Sequence, residues 1–311
     1  MVKYTDKYNL PTGVSNALRN INSSYSRGDS DISVTQLIDS PQIKILKEKY
    51  DDQIEQDLSE MFWSVLGTSV HHIIEHSDTT ENTIKEKRFY GECNGWKISG
   101  AIDRVILKNL TGYENETIEI AEIEDYKCTS VWSIVFPKES WINQLNVYAW
   151  LLRQNNYLPK SLSIIVLARD WQKSKAAEAI NNGGNYPPLP IHKIDIPLWS
   201  DEKQDAYVRD RVETHQQADM LFHTQNIQVG CTDEERWKNP PSFAVKVKDK
   251  NGVPKKRALK VFDLEEDAQD YAKNTLNSYV EERPSIARRC KDNYCNVKQF
   301  CELAKKEGYV E

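Results

Sequence analysis

The chain has 311 residues, 39% of them hydrophobic and 28% charged, with 47 Asp and Glu against 41 Lys and Arg for a formal charge of −6. That length supports a sizeable core in one large domain or two modest ones, and the acidic balance argues against a protein that coats nucleic acid through bulk charge. No apolar run is long enough to span a bilayer, and the opening residues lack the apolar core of a secretory signal, so a cytoplasmic location is expected and the six cysteines read as thiols or metal ligands rather than disulfides.

The first thirty-two residues are polar and rich in Ser and Asn, which predicts a flexible lead-in over 1–32. A core over 33–200 begins with a short strand or helix start at Ser33–Ile38 and a short helix at Ile43–Tyr50. From Gln53 to His76 the positions Ile54, Leu58, Met61, Phe62, Val65, Val70, Ile73 and Ile74 recur at helical spacing, with a break expected near Gly67. Two strand-like runs in "EKRFYGECNGWKISGAIDRVIL" are joined by Asn94-Gly95, a strong hairpin signal. A third strand follows at Thr117–Lys127, then an amphipathic helix at Glu139–Gln154 and an apolar strand at Ser161–Asp170. Helix, three strands, helix and strand predict an α/β fold, a mixed central sheet flanked by helices. After a Gly/Pro/Asn-rich loop at Gln172–Pro190 and a strand at Ile191–Ile196, the segment 201–311 reads as an extension packed on the core. It comprises a long helix (Asp201–Thr224), a basic hairpin (Val245–Val261), a helix (Leu264–Glu282) and a cysteine-rich tail.

The strands carry charges that burial would penalise by several kcal/mol unless they are partnered. Asp103 lies in the second hairpin strand, and Asp125 and Lys127 lie two apart at the end of the third, on one face. Carboxylates converging at a strand end suit Mg²⁺, with Lys127 placed to hold a water or neutralise phosphate charge. On the helix before them His71 and Glu75 are four residues apart, and on the helix after them so are Gln144 and Tyr148, each pair sharing a face.

The ordered series Gly-x-x-x-His-x-x-x-Glu (Gly67 to Glu75), Gly-x-x-Asp (Gly100 to Asp103), Asp-x-Lys (Asp125 to Lys127) and Gln-x-x-x-Tyr (Gln144 to Tyr148) resembles the RecB-like branch of the PD-(D/E)XK nuclease superfamily. That branch includes phage exonucleases and CRISPR-associated RecB-like exonucleases, and the likeness covers roughly Ser33 to Asp170. The resemblance implies a restriction-endonuclease-like core and Mg²⁺- or Mn²⁺-dependent hydrolysis of DNA in recombination, repair or processing, an exonuclease ahead of an endonuclease or a catalytically silent DNA-binding module. It implies metal ligation by His71, Asp103, Asp125 and the carbonyl of Tyr126, with Glu75 a weaker ligand and Glu124 facing the wrong way. Lys127 becomes the catalytic lysine, and Gln144 and Tyr148 contact substrate. A recombination or replication protein partner fits such a role; oligomeric state stays open.

Several members of that branch close their fold with an iron-sulfur cluster, a [4Fe–4S] cluster being the form expected here, on one cysteine before the core and three after it. Here Cys290, Cys295 and Cys301 lie in the tail, but four residues separate the first two instead of the usual two, and the upstream cysteine is missing. Cys231 is the candidate fourth ligand, for an iron-sulfur cluster or for Zn²⁺; buried thiols are the bland alternative. Lys246, Lys248, Lys255, Lys256 and Arg257 of the basic hairpin are candidate phosphate contacts, or a solvated charge run. A zinc-binding interaction protein with an incidental Asp-x-Lys is the rival from another class; it leaves the ordered series unexplained.

Overall fold

The computed structural model describes residues 2–21, 27–77, 79–111 and 117–310. Its first elements correct the expectation of a flexible lead-in. Lys3–Thr5 (β1) pairs in parallel with Glu55–Asp57 (β3), and the helix Thr12–Ile21 (α1) buries Leu18 in a cluster with Leu58 and Met61. Enough apolar side chains interrupt the polar stretch, among them Leu10 and Leu18, for it to dock; residues 22–26 of the expected lead-in lie outside the described residues. Ile32–Ser33 (β2) runs straight into Val34–Leu37 (α2) through a capping box, in which Ser33 and Gln36 each satisfy the other's backbone N–H. Pro41 then opens α3 (Pro41–Lys49), where the missing N–H of proline costs nothing.

The helix α4 (Phe62–Ser77) passes through Gly67 without a break. The apolar stripe read there is only half core: Ile54, Leu58 and Met61 are buried ahead of the helix, whereas Phe62 and Ile73 within it remain 52% and 61% exposed.

The central sheet is built on the hairpin of β4 (Thr83–Cys93) and β5 (Trp96–Thr111). Asn94 and Gly95 both take positive φ, 49° and 75°, the turn that matches strand twist and fixes the register from Cys93↔Trp96 outward. β5 is long enough to serve two partners on its other edge. Its start pairs in parallel with β2 at Ile98 and Ser99, and its end pairs antiparallel with β6 (Thr117–Thr129) from Arg104 onward. After α5 (Trp132–Val135) and α6 (Glu139–Gln154), β7 (Leu158–Ala168) lies parallel to β6. A further helix α7 (Lys173–Asn182) forms inside the segment expected to be loop, and β8 (Ile191–Ile196) closes the sheet. The order β2-β5-β6-β7-β8, with β4 on the outer side of β5, makes the mixed sheet. Ile98, Ile102, Val105, Ile123, Ile164 and Val166 pack with Leu145, Tyr148 and Leu152 of α6, and Val208 and Val212 of α8 (Asp201–Gln225) join the same core.

β9 (Lys238–Asn239) follows α8. The hairpin strands β10 (Ser242–Val247) and β11 (Lys260–Phe262) gain a third partner, because the predicted helix Leu264–Glu282 stops as α9 (Glu265–Lys273) and returns as β12 (Ser278–Arg283) against β10. β13 (Ile286–Ala287) pairs with β9, and α10 (Arg288–Lys291) and α11 (Glu302–Lys306) carry the tail back to the core. There Val297, Cys301 and Ala304 share a cluster with Ile43 and Leu46 of α3, and Arg289 grips Asp39 through two hydrogen bonds of 2.6 and 2.8 Å. No helix of the described residues is long and apolar enough to cross a membrane.

Candidate active site

The β5–β6 ladder begins only at Arg104↔Glu124, so at Asp103 the two strands have already parted. Asp103 fills the gap with its side chain: Oδ2 accepts the backbone N–H of Tyr126 at 2.7 Å. Burial and the nearby charge of Asp125 push the Asp103 carboxyl up to about 7. Lys127 Nζ lies 2.6 Å from Asp125 Oδ2, an oxygen without a hydrogen-bond partner, so this contact is an ion pair outside hydrogen-bond geometry. Burial alone would pull the Lys127 ammonium down; the adjacent Asp125 and Asp103 more than offset this and hold it raised, charged at neutral pH.

α4 brings His71 over this pair. Its Nε2–H donates to the Tyr126 carbonyl at 3.0 Å, while Nδ1 faces Glu86 Oε1 at 3.4 Å and Asp103 Oδ2 at 3.6 Å. Both ring nitrogens thus look at oxygen acceptors, an arrangement the doubly protonated ring satisfies. The Glu86 hydrogen bond, with the charges of Asp103 and Asp125, outweighs burial and raises the His71 pKa.

Glu86 was missed in the sequence. It sits in β4 opposite Asp103, between the pairs Lys85↔Arg104 and Lys87↔Ile102, and its φ of 47° is left-handed. A non-glycine residue held there in a strand stores strain of order 1–3 kcal/mol, which surrounding structure must maintain. Glu75, the weaker ligand of the sequence reading, does not join: its carboxylate lies 3.6 Å from His76 Nδ1, in a separate surface group with His72 and His76. Helical spacing gave Glu75 the face of His71, but the side chain turns to the neighbouring histidine, and Glu86 approaches from the sheet instead. Glu124 lies on the opposite face, bound to Arg104 at 2.6 Å.

Gln144 and Tyr148 reach the site from beneath. Gln144 Nε2 donates to Tyr148 Oη at 2.9 Å and faces Asp125 Oδ1 at 3.4 Å, and the two side chains are 8% and 4% exposed. They therefore buttress Asp125 instead of meeting solvent. Gly100 makes room for this packing, since a Cβ there would sit 2.6 Å from the Tyr148 ring and 2.9 Å from Val34.

The donor set fits a hard divalent cation. Glu86 and Asp103 bring carboxylates together with His71, Asp125 lies beside them paired with Lys127, and Tyr126 offers its carbonyl.

The PD-(D/E)XK nuclease superfamily model matches residues 45–302. The chain belongs to the PD-(D/E)XK nuclease superfamily. A metal-dependent nuclease is the general activity of that superfamily, whose members use Mg²⁺ or Mn²⁺. No curated protein matches the chain. Among solved structures, one described as the crystal structure of SSO0001 aligns at 18% identity and a TM-score of 0.43, over 69% of this chain and 86% of that one.

In this PD-(D/E)XK chain Cys231 and the three tail cysteines share a cavity wall. Cys231, Cys290, Cys295 and Cys301 line one cavity of about 20 Å³, with Ile43 and Leu46 of α3 on its wall. Burial raises the Cys290 and Cys295 thiols and pushes Cys231 up to about 12, although Ser40 donates a hydrogen bond to its sulfur at 3.1 Å. Among the described residues, the groups of three or more donors within 4.8 Å of one another are His71, Glu86, Asp103 and His72, Glu75, His76, so no three sulfurs converge that closely. Tetrahedral Zn²⁺ sets its sulfurs about 3.8 Å apart.

Of the basic-hairpin residues, Lys246 is engaged with Glu281 at 2.7 Å, and Lys248 lies over the Tyr279 ring. Lys255, Lys256 and Arg257 are exposed in the connection between β10 and β11.

Proposed function

We propose that this chain is a Mg²⁺- or Mn²⁺-dependent deoxyribonuclease of the RecB-like kind, acting as an exonuclease in DNA recombination, repair or processing. The observation that carries this reading is the meeting of His71, Glu86 and Asp103 where β5 parts from β6, with the ion pair of Asp125 and Lys127 beside it. His71, once deprotonated, and the three carboxylates would hold the metal together with the Tyr126 carbonyl. The ion supplies polarisation of the scissile phosphate and a bound water of lowered pKa. Lys127, kept charged, offsets negative charge building on the phosphate oxygens, and Asp125 fixes its ammonium in place. Gln144 and Tyr148 act through Asp125 as positioning residues. Exposed Lys255, Lys256 and Arg257 would follow the phosphate backbone, where their neutralisation weakens binding across sequences and flattens its salt dependence.

End-labelled linear DNA and closed circular DNA are incubated with Mg²⁺, Mn²⁺ or EDTA. Metal-dependent loss of the linear form with survival of the circle supports the reading; cleavage of the circle makes the chain an endonuclease, and cleavage in EDTA or of neither form overturns it.

The same reading assigns a [4Fe–4S] cluster to Cys231, Cys290, Cys295 and Cys301. Anaerobically purified protein is then brown with visible absorption that Cys295→Ser removes; a colourless, iron-free preparation is the contrary result.

A further inference from the structure

The end of α4 carries a second set of metal donors that the site around Asp103 does not use. His72, Glu75 and His76 stand at positions i, i+3 and i+4, so they project from one face of the last two turns. One donor atom from each lies within 4.8 Å of the other two, and the two imidazole rings are centred 4.0 Å apart. His76 Nδ1–H donates to the His72 carbonyl at 2.8 Å, which orients the ring and leaves its Nε2 with a free lone pair. Lys85 of β4 donates to the Glu75 carbonyl at 2.9 Å, so the backbone beneath the group is held while its side chains meet solvent.

Two histidines four apart on one helix are the spacing by which zinc enzymes hold their ion, and two imidazoles with one carboxylate favour Zn²⁺, Ni²⁺ or Cu²⁺ over Mg²⁺. The set is therefore chemically distinct from the carboxylate-rich group at Asp103. Zn²⁺ with tetrahedral bonds of about 2.0–2.1 Å places its donors roughly 3.4 Å apart, which exposed side chains reach by small rotations. The helix also gains from such a bridge. No side chain of α4 is fully buried, so packing contributes little to the element that brings His71 over Asp103. We infer that His72, Glu75 and His76 form a Zn²⁺-class site, with water completing the coordination, that clamps the last turn of α4. The site holds whatever chemistry the residues around Lys127 perform.

The full chain in saturating Mg²⁺ is titrated with Zn²⁺ in a calorimeter, beside His72→Ala, Glu75→Gln, His76→Ala and Cys295→Ser. The wild type and Cys295→Ser are expected to share a binding event that each of the other three variants weakens by at least about 10-fold. Zn²⁺ also slows hydrogen exchange of the α4 amides in the wild type and not in His76→Ala. Both histidines are exposed, so truncation leaves no core cavity, and circular dichroism checks each variant. An isotherm that neither histidine variant changes, or Zn²⁺ binding lost only with Cys295→Ser, overturns the site. Histidine-dependent binding that leaves α4 exchange unaltered overturns the clamp.

Discussion

Glu86 and Asp103 oppose each other across the β4–β5 ladder, and His71 Nδ1 faces a carboxylate oxygen of each, at 3.4 and 3.6 Å. Like charges placed directly across two strands repel, and here the backbone at Glu86 is also strained. Such a pair is stable in place when a cation sits between them: the His71 imidazolium is one such cation, and a divalent ion, if bound there, would be another.

If that is their role, Glu86→Gln lowers Mn²⁺ affinity roughly 10–100-fold. The expected readout is a smaller rise in melting temperature with saturating Mn²⁺ than the wild type shows, checked by titration calorimetry. An unchanged metal affinity removes Glu86 from the ligand set.

Lys127→Ala and Asp125→Ala are expected to lower the cleavage rate by roughly 10²–10³-fold or more, since the first removes the cation set against the phosphate and the second a proposed metal ligand that also anchors that cation. Far-ultraviolet circular dichroism stays as in the wild type. Full activity in a folded double variant contradicts the assignment.

Gly100→Ala drives a methyl group against Tyr148 and Val34 at the distances given above. Overpacking of this kind costs about 1–3 kcal/mol, so a lower melting temperature is expected. Displacement of Tyr148 also loosens Gln144 from Asp125, and cleavage should fall by more than the stability loss explains.

His215, 1% exposed, donates through Nε2 to the Leu37 carbonyl, and burial, helped by the charge of Arg211, lowers its pKa to about 4. The unfolded chain takes up a proton near pH 6.5 that the folded chain refuses until about 4, so stability contributed by neutral His215 is present above pH 6.5 and is lost as pH falls through that window. Denaturant melts between pH 7 and 4 should show a decline of order 2–3 kcal/mol that His215→Gln flattens.

Arg289→Ala leaves Asp39 without the guanidinium that holds its carboxyl below the usual range, against the cost of burying it. Breaking this part-buried pair is expected to cost roughly 2–3 kcal/mol and to loosen the tail from the core. Limited proteolysis near Cys290 measures the loosening; an unchanged cleavage pattern argues that the apolar contacts alone retain the tail.

Much of this was legible in the residues because local chemistry fixed it. Asn94-Gly95 gave the hairpin, and the helix Glu139–Gln154 and strand Ile191–Ile196 keep their expected bounds. Sequence failed where a distant partner decided. Ser278–Arg283 is polar enough to extend a helix, and only pairing with β10 makes it a strand. Glu86 had no motif, yet its signal was present: a two-residue turn closing on Cys93 and Trp96 counts back from Asp103 to Glu86. Cys231 was named beside the tail cysteines by residue type alone, and it lines their cavity because of the path of α8 and the loop after it, which spacing along the chain does not encode.

The tight turn at Asn94-Gly95 has an implication for how this gene can vary. Adding or deleting one codon between Lys87 and Ile102 would swing one acidic side chain to the far side of the sheet while leaving every acidic letter intact. Length in that short segment is thus as constrained as the identity of the acids it brings together.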